Sequence, residues 1–171
     1  MHYSSAKNAV AFFNKYLKPG DRLLDVGSKM CDWQIFTYAQ IIPDTVEYQG
    51  LDIEPGRSVD IVVKDPYRWA EVSSDSFDVI IAGQVLEHAE FFWLVFEEMV
   101  RVLKPGGYMC VISPKLQKTH RFPVDCWRFL PDGMKALAKY TGIKCISATA
   151  SHESYVEIPK TPNDCVGVFQ K

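Results

Sequence analysis

Short apolar runs alternate along the chain with segments whose apolar residues recur every three or four positions. The run at 77–82 is mostly aliphatic, which is typical of a strand buried on both faces of a parallel sheet. Residues 91–103 instead place large apolar side chains at helical spacing. These patterns predict helices at 4–17, 33–42, 91–103 and 132–140, and strands at 22–26, 48–53, 59–64, 77–82, 108–113, 144–150 and 165–170.

The order of these elements predicts the architecture. Strands that alternate with helices form a mostly parallel sheet covered on both faces. The last two strands have no helix between them and are joined through Pro159 and Pro162, so we expect antiparallel pairing at the sheet edge. The prediction is an α/β fold with one doubly wound, mostly parallel seven-stranded sheet and an antiparallel edge strand. With no internal repeat or boundary, residues 1–171 are predicted to form a single domain.

Charge and composition exclude several classes of protein. The net charge of −2 provides no basic field for a polyanion, which argues against a nucleic-acid partner. No apolar run is long enough for a membrane span, and the amino terminus lacks the pattern of a secretory signal. The five cysteines are widely spread without a Cys-x-x-Cys pair, which argues against a disulfide framework and a zinc site. We therefore expect a cytoplasmic protein with no metal ligands.

Three aspartates follow predicted strands. Asp25 ends the first strand, Asp52 ends the second, and Asp65 follows the third. Open α/β sheets bind ligands at the carboxyl ends of their strands, and ionised carboxylates accept hydrogen bonds from hydroxyl and amino groups. The alternative is turn or cap chemistry, which aspartate also favours. Three aspartates at one edge favour a ligand site.

The segment after the fourth strand carries a family resemblance. It reads Phe-Asp-Val-Ile at 77–80, Val-Leu-Glu-His at 85–88 and Arg-Val-Leu-Lys-Pro-Gly-Gly at 101–107. This combination resembles the class I S-adenosylmethionine-dependent methyltransferases. The resemblance implies a Rossmann-like methyltransferase fold, methyl transfer and S-adenosylmethionine as cofactor. The implied cofactor-binding residues are Asp25, Gly27, Ser28, Asp52, Ile53, Asp65, Pro66, Gly83 and Gln84.

The resemblance also implies roles for these positions. Asp52 would take the ribose hydroxyls and Asp65 the adenine amino group, with the adenine between Ile53 and Pro66. Asp25 and the Gly27 turn would lie beneath the methionine part, and the backbone at Gly83 and Gln84 would hold its ammonium. The glycine-rich loop of the family keeps only its first glycine here. Other residues are therefore candidates for contacting the methionine end: Lys29, Asp32 and Trp33.

The loop at 113–129 holds most of the candidate acceptor residues. Candidate bases are His88, His120 and Asp125, and candidate substrate-binding residues are Arg121, Trp127 and Arg128. Each has a structural alternative. His88 could orient its loop, and His120 could be a surface residue. Arg121, Asp125 and Arg128 could form an ion-pair network that holds the loop in place. Trp127 could be a core anchor.

The sequences His-Arg-Phe-Pro-Val-Asp-Cys-Trp-Arg-Phe at 120–129 and Gly-Gln-Val-Leu-Glu-His at 83–88 also resemble a subgroup of small bacterial methyltransferases. This subgroup is associated with glycan synthesis, so the resemblance implies a small polar acceptor such as a sugar hydroxyl. Two alternatives stay open. A nucleic-acid methylase is disfavoured because Asp65-Pro66-Tyr67 follows the third strand, not the fourth. A non-catalytic binding module of the same fold is the other, and either a monomer or a homodimer is expected.

Overall fold

The computed structural model describes residues 3–31, 37–150 and 163–171. Three helices and seven strands organise this part of the chain, together with single 3-10 turns at Tyr38–Gln40 and Leu86–His88. In chain order the elements are α1 (Tyr3–Tyr16), β1 (Arg22–Val26), β2 (Glu47–Asp52), β3 (Ile61–Val62), β4 (Phe77–Gly83), α2 (Phe92–Val102), β5 (Leu103–Leu116), α3 (Pro131–Thr141), β6 (Lys144–Ala150) and β7 (Asn163–Gln170).

All seven strands form one sheet in the order β3-β2-β1-β4-β5-β7-β6. The strands β1 to β5 are parallel, and β7 pairs antiparallel with both β5 and β6. This confirms the predicted mostly parallel α/β fold, with β7 one position in from the edge. The strand order reverses at β1, which lies between β2 and β4, and ligand crevices form at such a reversal.

The two faces of the sheet bury separate apolar clusters. On β4, Ile80 and Ala82 face the cluster that contains α2 and α3, whereas Val79 and Ile81 face the cluster that contains α1. Side chains alternate across a strand, so a run without polar interruption is needed when both faces are covered. The aliphatic run in β4 meets this requirement. Phe96 of α2 is fully buried on the first face.

Three predicted elements differ most from the structure in their bounds. Only 37–42 of the predicted helix 33–42 is described, and it holds a single 3-10 turn at Tyr38–Gln40. The third strand is short because the Asp60 carboxylate accepts the Gly50 amide at 2.8 Å and so replaces a strand bond. The strand β5 is longer than predicted at both ends, because Leu103 pairs with Phe77 of β4 and Leu116 pairs with Asn163 of β7. The connection with Pro159 and Pro162 lies outside the described residues.

Within the described ranges, each helix is too short or too polar to cross a lipid bilayer. The longest of them, α1, has 14 residues, whereas a span needs about 20.

Two glycines of the α3 region give opposite expectations for alanine substitution. Gly142 caps α3 in the left-handed conformation with φ of 77°, so Gly142→Ala should lower the free energy of unfolding by about 1 kcal/mol. Gly133 lies inside α3 without a positive φ, and the space that a side-chain carbon would occupy there is open. Gly133→Ala should raise the free energy of unfolding by up to about 1 kcal/mol. Denaturant unfolding measures both, and a shift of the same sign in both variants would contradict the assignment of the cap.

Candidate active site

The end of β1 places a buried carboxyl group beneath the strand reversal. Asp25 is 3% exposed, and the Tyr48 hydroxyl donates a hydrogen bond to its Oδ2 at 2.6 Å. Burial raises the pKa of Asp25 to about 7, the Tyr48 hydrogen bond opposes this shift, and the nearby Asp52 carboxylate adds to it. The site therefore contains an acid that titrates near neutral pH and that a cationic ligand group would ionise.

A tight turn follows β1 and lies against the loop that follows β4. Gly27 has a φ of 74°, and a side-chain carbon placed on it would lie 2.4 Å from Cγ2 of Val85. The amides of Gly27 and Ser28 both donate to the Leu51 carbonyl, at 2.8 and 3.1 Å. Both the backbone conformation and the contact with Val85 require glycine here. The buried Ser28 hydroxyl has no hydrogen-bond partner among the described residues.

Asp52 lies at the end of β2, beside the Gly27 turn. Its Oδ2 accepts the Lys29 amide at 3.0 Å, and its Oδ1 accepts the Glu54 amide at 3.2 Å. Each carboxylate oxygen retains a lone pair, so the pair can also accept two neighbouring hydroxyls. Ile53 follows with 53% of its surface exposed, as a platform for a flat apolar ligand group.

The predicted adenine contacts lie further out on the same edge. Asp65 is exposed, and its Oδ1 accepts the Tyr67 amide at 2.8 Å. This is the local turn chemistry that the sequence offered as the alternative for strand-end aspartates. The second carboxylate oxygen, Oδ2, is not needed for that turn. Pro66 is half-buried next to it.

Strained backbone marks the end of β4. Gln84 has a φ of 62°, which is uncommon for a residue other than glycine, and its amide donates to the Ile112 carbonyl at 2.7 Å. Its side-chain amide reaches Ser5 at 3.2 Å and Asp164 at 3.1 Å. These contacts tie the loop to α1 and β7. An ammonium at this position would donate to backbone carbonyl oxygens, since it has N–H donors and no acceptor.

The structure adds Glu87, which the sequence patterns did not single out. Glu87 is fully buried, and neither carboxylate oxygen has a hydrogen-bond partner among the described residues. Burial raises the pKa of Glu87 to about 8, opposed by its own backbone amide and by Ser113, whose hydroxyl faces the carboxyl without reaching hydrogen-bonding geometry. Buried, unpaired carboxyl groups are rare outside functional sites, so this one points to a ligand.

Two histidine rings meet next to Glu87. The rings of His88 and His120 pack edge to face with centroids 4.9 Å apart. His88 Nδ1 lies 2.6 Å from the Val124 carbonyl and so donates to it, which leaves a lone pair on Nε2, 3.9 Å from Glu87 Oε1. Burial lowers the pKa of His88, so a neutral imidazole faces the site. The fold thus brings the three candidate bases together, since Asp125 Oδ2 also lies 3.5 Å from His120 Nδ1.

Asp125 is paired with Arg128, as in the ion-pair alternative, and its role as a base stays a prediction. Arg128 donates to its two oxygens, at 2.8 Å on Oδ2, and the His120 amide donates to Oδ2 at 2.8 Å. The Arg128 hydrogen bonds hold the pKa of Asp125 well below its usual range, so it takes up a proton poorly at neutral pH. Arg128 therefore holds the loop in place through Asp125, which is the structural alternative given for these residues.

The remaining predicted substrate residues lie at the outer side of the same loop. Arg121 is exposed and makes no ion pair with the described residues. Trp127 is 38% exposed, and its Nε1 donates to the Ala89 carbonyl at 3.0 Å. Its ring packs against Phe92 with centroids 5.1 Å apart, so it anchors the loop on α2 while part of the ring stays open. Asp32 and Trp33 lie outside the described residues.

Comparison with family profiles, with curated proteins and with solved structures finds a methyltransferase in each case. The profile of a family described as "Methyltransferase domain" matches residues 31–111. A curated relative, demethylmenaquinone methyltransferase of Lysinibacillus sphaericus, is 31% identical over 108 residues, which cover 57% of this chain and 46% of the relative. The matching region therefore spans about half the length of that relative.

Solved structures show the same fold. The Burkholderia thailandensis 1,6-didemethyltoxoflavin-N1-methyltransferase, solved with 1,6-didemethyltoxoflavin and S-adenosylhomocysteine, has a TM-score of 0.74 at 13% identity, with 98% of this chain and 78% of that chain covered. The cyclase SpnF has a TM-score of 0.71 at 15% identity, with 96% and 80% covered. A cyclase with this fold shows that the fold alone does not specify the reaction. In its domain profile, its curated relative and its sheet order, the chain is similar to the class I S-adenosylmethionine-dependent methyltransferases.

Proposed function

We propose that this protein binds S-adenosylmethionine at the carboxyl ends of β1, β2 and β4 and methylates a hydroxyl group of a small polar acceptor, of the sugar or glycan class. The observation that carries the proposal is the convergence of the Gly27 turn, the Asp52 carboxylate and the 83–88 loop at the strand reversal. The similarity to methyltransferases supports methyl transfer as the reaction, and the residues present decide whether the cofactor fits.

The residues fit the cofactor. Asp52 offers two carboxylate oxygens for the ribose hydroxyls, and the exposed Ile53 offers an apolar platform for adenine. The buried Ser28 hydroxyl, unpartnered among the described residues, provides a further polar contact. Asp25 would favour the cationic methionine part, since a positive charge nearby favours its ionised form. When bound, the cofactor supplies a methyl group activated by its sulfonium.

For methyl transfer the protein mainly has to align the acceptor with the methyl group and to remove the acceptor's proton. The bound cofactor would supply the electrophilic methyl group, and the acceptor hydroxyl would have to give up its proton to a base of the protein. A sugar hydroxyl is a weak acid, so it needs help to ionise. His88 and His120 are the groups placed to give that help, because their rings meet at the inner side of the 113–129 loop.

The acceptor class is supported by the outer part of this loop. The partly exposed face of Trp127 suits the apolar face of a sugar ring, and the exposed Arg121 suits an anionic or hydroxylated group. The sequence motifs of the glycan-associated subgroup point to the same class. A labelled-methyl assay with a panel of sugars and glycans tests it: product with hydroxylated acceptors supports the class, and exclusive product with amines would contradict it.

Asp52→Ala tests the cofactor site. Removal of the two carboxylate acceptors should weaken S-adenosylmethionine binding by about ten- to a hundredfold, since hydrogen bonds to a charged group contribute about 1.5–3 kcal/mol. Isothermal titration calorimetry measures the change. Asp44→Ala, at an exposed position, is the matched control and should bind like the wild type. Absence of cofactor heat in the wild type, or an unchanged affinity in folded Asp52→Ala, would overturn the proposed site.

A further inference from the structure

We propose that Glu87, His88 and His120 form a binding site for a divalent transition-metal ion such as Zn²⁺. One ligand atom from each of these residues lies within 4.8 Å of the other two. They come from two segments, the 83–88 loop after β4 and the loop after β5, and only the fold brings them together. The sequence predicted no metal ligands, so this inference departs from that expectation.

The donor set has the composition of known metal sites. Two imidazoles and one carboxylate bind zinc in catalytic sites, and the same set binds non-haem iron. Ligand atoms around a zinc ion are about 3.3 Å apart, because each is about 2.0–2.2 Å from the metal. The observed separation of His88 Nε2 and Glu87 Oε1 is 3.9 Å. The three ligand atoms must therefore move by about 1 Å to bind one ion together. The partly exposed His120 side chain can make that movement.

Glu87 is the strongest indication of a cation. Its carboxyl is fully buried, and both of its oxygens are without hydrogen bonds among the described residues. A buried carboxyl group stays ionised only when it is paired or coordinates a metal. The Arg128 guanidinium is near enough to favour ionised Glu87, but it is engaged by Asp125. A metal ion would supply the missing partner.

Both histidines are oriented as metal ligands usually are. A ligating histidine commonly donates its second ring N–H to a carbonyl or carboxylate, which fixes the tautomer. His88 Nδ1 donates to the Val124 carbonyl at 2.6 Å. His120 Nδ1 lies 3.2 Å from the Lys118 carbonyl and 3.5 Å from Asp125 Oδ2. In each ring the Nε2 lone pair is left for the ion.

The metal site would add a catalytic device to the proposed function. Its effect on catalysis rests on that proposed function. Three protein ligands leave a coordination position open, as in catalytic zinc sites. An acceptor hydroxyl bound at that position would ionise more readily, because a bound cation lowers the pKa of a coordinated oxygen acid. With both Nε2 atoms bound to the ion, the two histidines would be ligands and not bases, and the proton of the coordinated acceptor would pass to solvent water. Metal binding itself is measurable without turnover.

The test is a titration of the metal-stripped 171-residue chain with Co²⁺ by visible absorption and with Zn²⁺ by calorimetry. We expect one ion per chain, with nitrogen- and oxygen-type Co²⁺ bands. Glu87→Gln, His88→Ala and His120→Ala should each weaken binding by at least about tenfold. Glu90→Gln, an exposed carboxylate three positions along, is the matched control and should bind like the wild type. Thermal melts establish that each variant is folded, and the His120 variant changes the partly exposed ligand if Glu87→Gln does not fold.

Two outcomes overturn the inference. One is the absence of binding in the wild type, and the other is binding that survives the three ligand substitutions or shows a thiolate charge-transfer band from the cysteines. An S-adenosylmethionine titration on the same sample separates the two proposals. Cofactor binding without metal binding overturns only the metal site, and metal binding without cofactor binding overturns only the proposed function.

Discussion

Gly27→Ala is expected to abolish measurable S-adenosylmethionine binding and to lower the free energy of unfolding by about 2–5 kcal/mol. Two effects add. A left-handed backbone costs a residue with a side chain about 1–2 kcal/mol, and Gly27 has a φ of 74°. The new methyl group would also lie 2.4 Å from Val85 Cγ2, and overpacking of this kind costs about 1–3 kcal/mol. The strain falls on the turn that positions the Lys29 amide on Asp52.

The chain provides a control for each effect. Gly20 has a φ of 86° with nothing within 4 Å of a side-chain carbon, so Gly20→Ala should show the backbone effect alone, with cofactor binding intact. Val85→Ala combined with Gly27→Ala removes the contacting methyl and should recover part of the stability. Denaturant unfolding and calorimetry measure these differences. Equal losses in Gly27→Ala and Gly20→Ala would show that the contact with Val85 is unimportant.

Asp25→Asn is expected to stabilise the protein at alkaline pH while weakening cofactor binding. The pKa of Asp25 is about 7 in the fold, against a reference value of 3.8. The native state therefore binds more protons than the unfolded chain between about pH 4 and pH 7. Stability from this group is highest below about pH 4, falls as the pH rises to about 7 and is constant above. Asparagine removes this loss, which amounts to about 4 kcal/mol at 1.36 kcal/mol per pKa unit.

The measurement is the free energy of unfolding at several pH values between about 4 and 8. The wild type should lose stability across this range relative to Asp25→Asn, whereas the exposed control Asp44→Asn should follow the wild type. Parallel curves for the wild type and Asp25→Asn would refute the raised pKa. The affinity for S-adenosylmethionine should also rise with pH in the wild type, because a cationic ligand favours ionised Asp25, and this rise should be absent in the variant.

Much of the fold was predictable because the signals are local. The aliphatic run of β4 and the helical spacing of α2 depend only on residues near in sequence, and both elements lie within one residue of their predicted bounds. The lengths of β3 and β5 were not predictable. Asp60 shortens β3 by a side-chain bond to Gly50, and pairing with Phe77 of β4 and Asn163 of β7 extends β5. Both contacts depend on how separate segments of the chain meet.

The candidate site likewise contains residues that the sequence predicted and residues that only the structure revealed. Strand-end positions identified Asp25 and Asp52 from the sequence, since parallel strands align their carboxyl ends. The pairing of Asp125 with Arg128 stayed one of two alternatives until their distance was known. Glu87 gave no signal of its own, because a glutamate beside a histidine is ordinary on a protein surface. Its complete burial follows from the contact of the Leu86–His88 turn with β5 and with the 113–129 loop, whose Cys126 and Trp127 amides donate to the Glu87 carbonyl.

The sequence by itself determined the order of the elements, the parallel sheet, and the family resemblance that led to a methyltransferase. Those features follow from periodicity and motif, which are properties of neighbouring residues. Only the tertiary structure decided that Gly27 must be glycine, that Asp25 titrates near neutral pH, and that Glu87 meets two histidines. Burial and contact between distant segments control these properties, because desolvation and close approach exist only once the chain has folded.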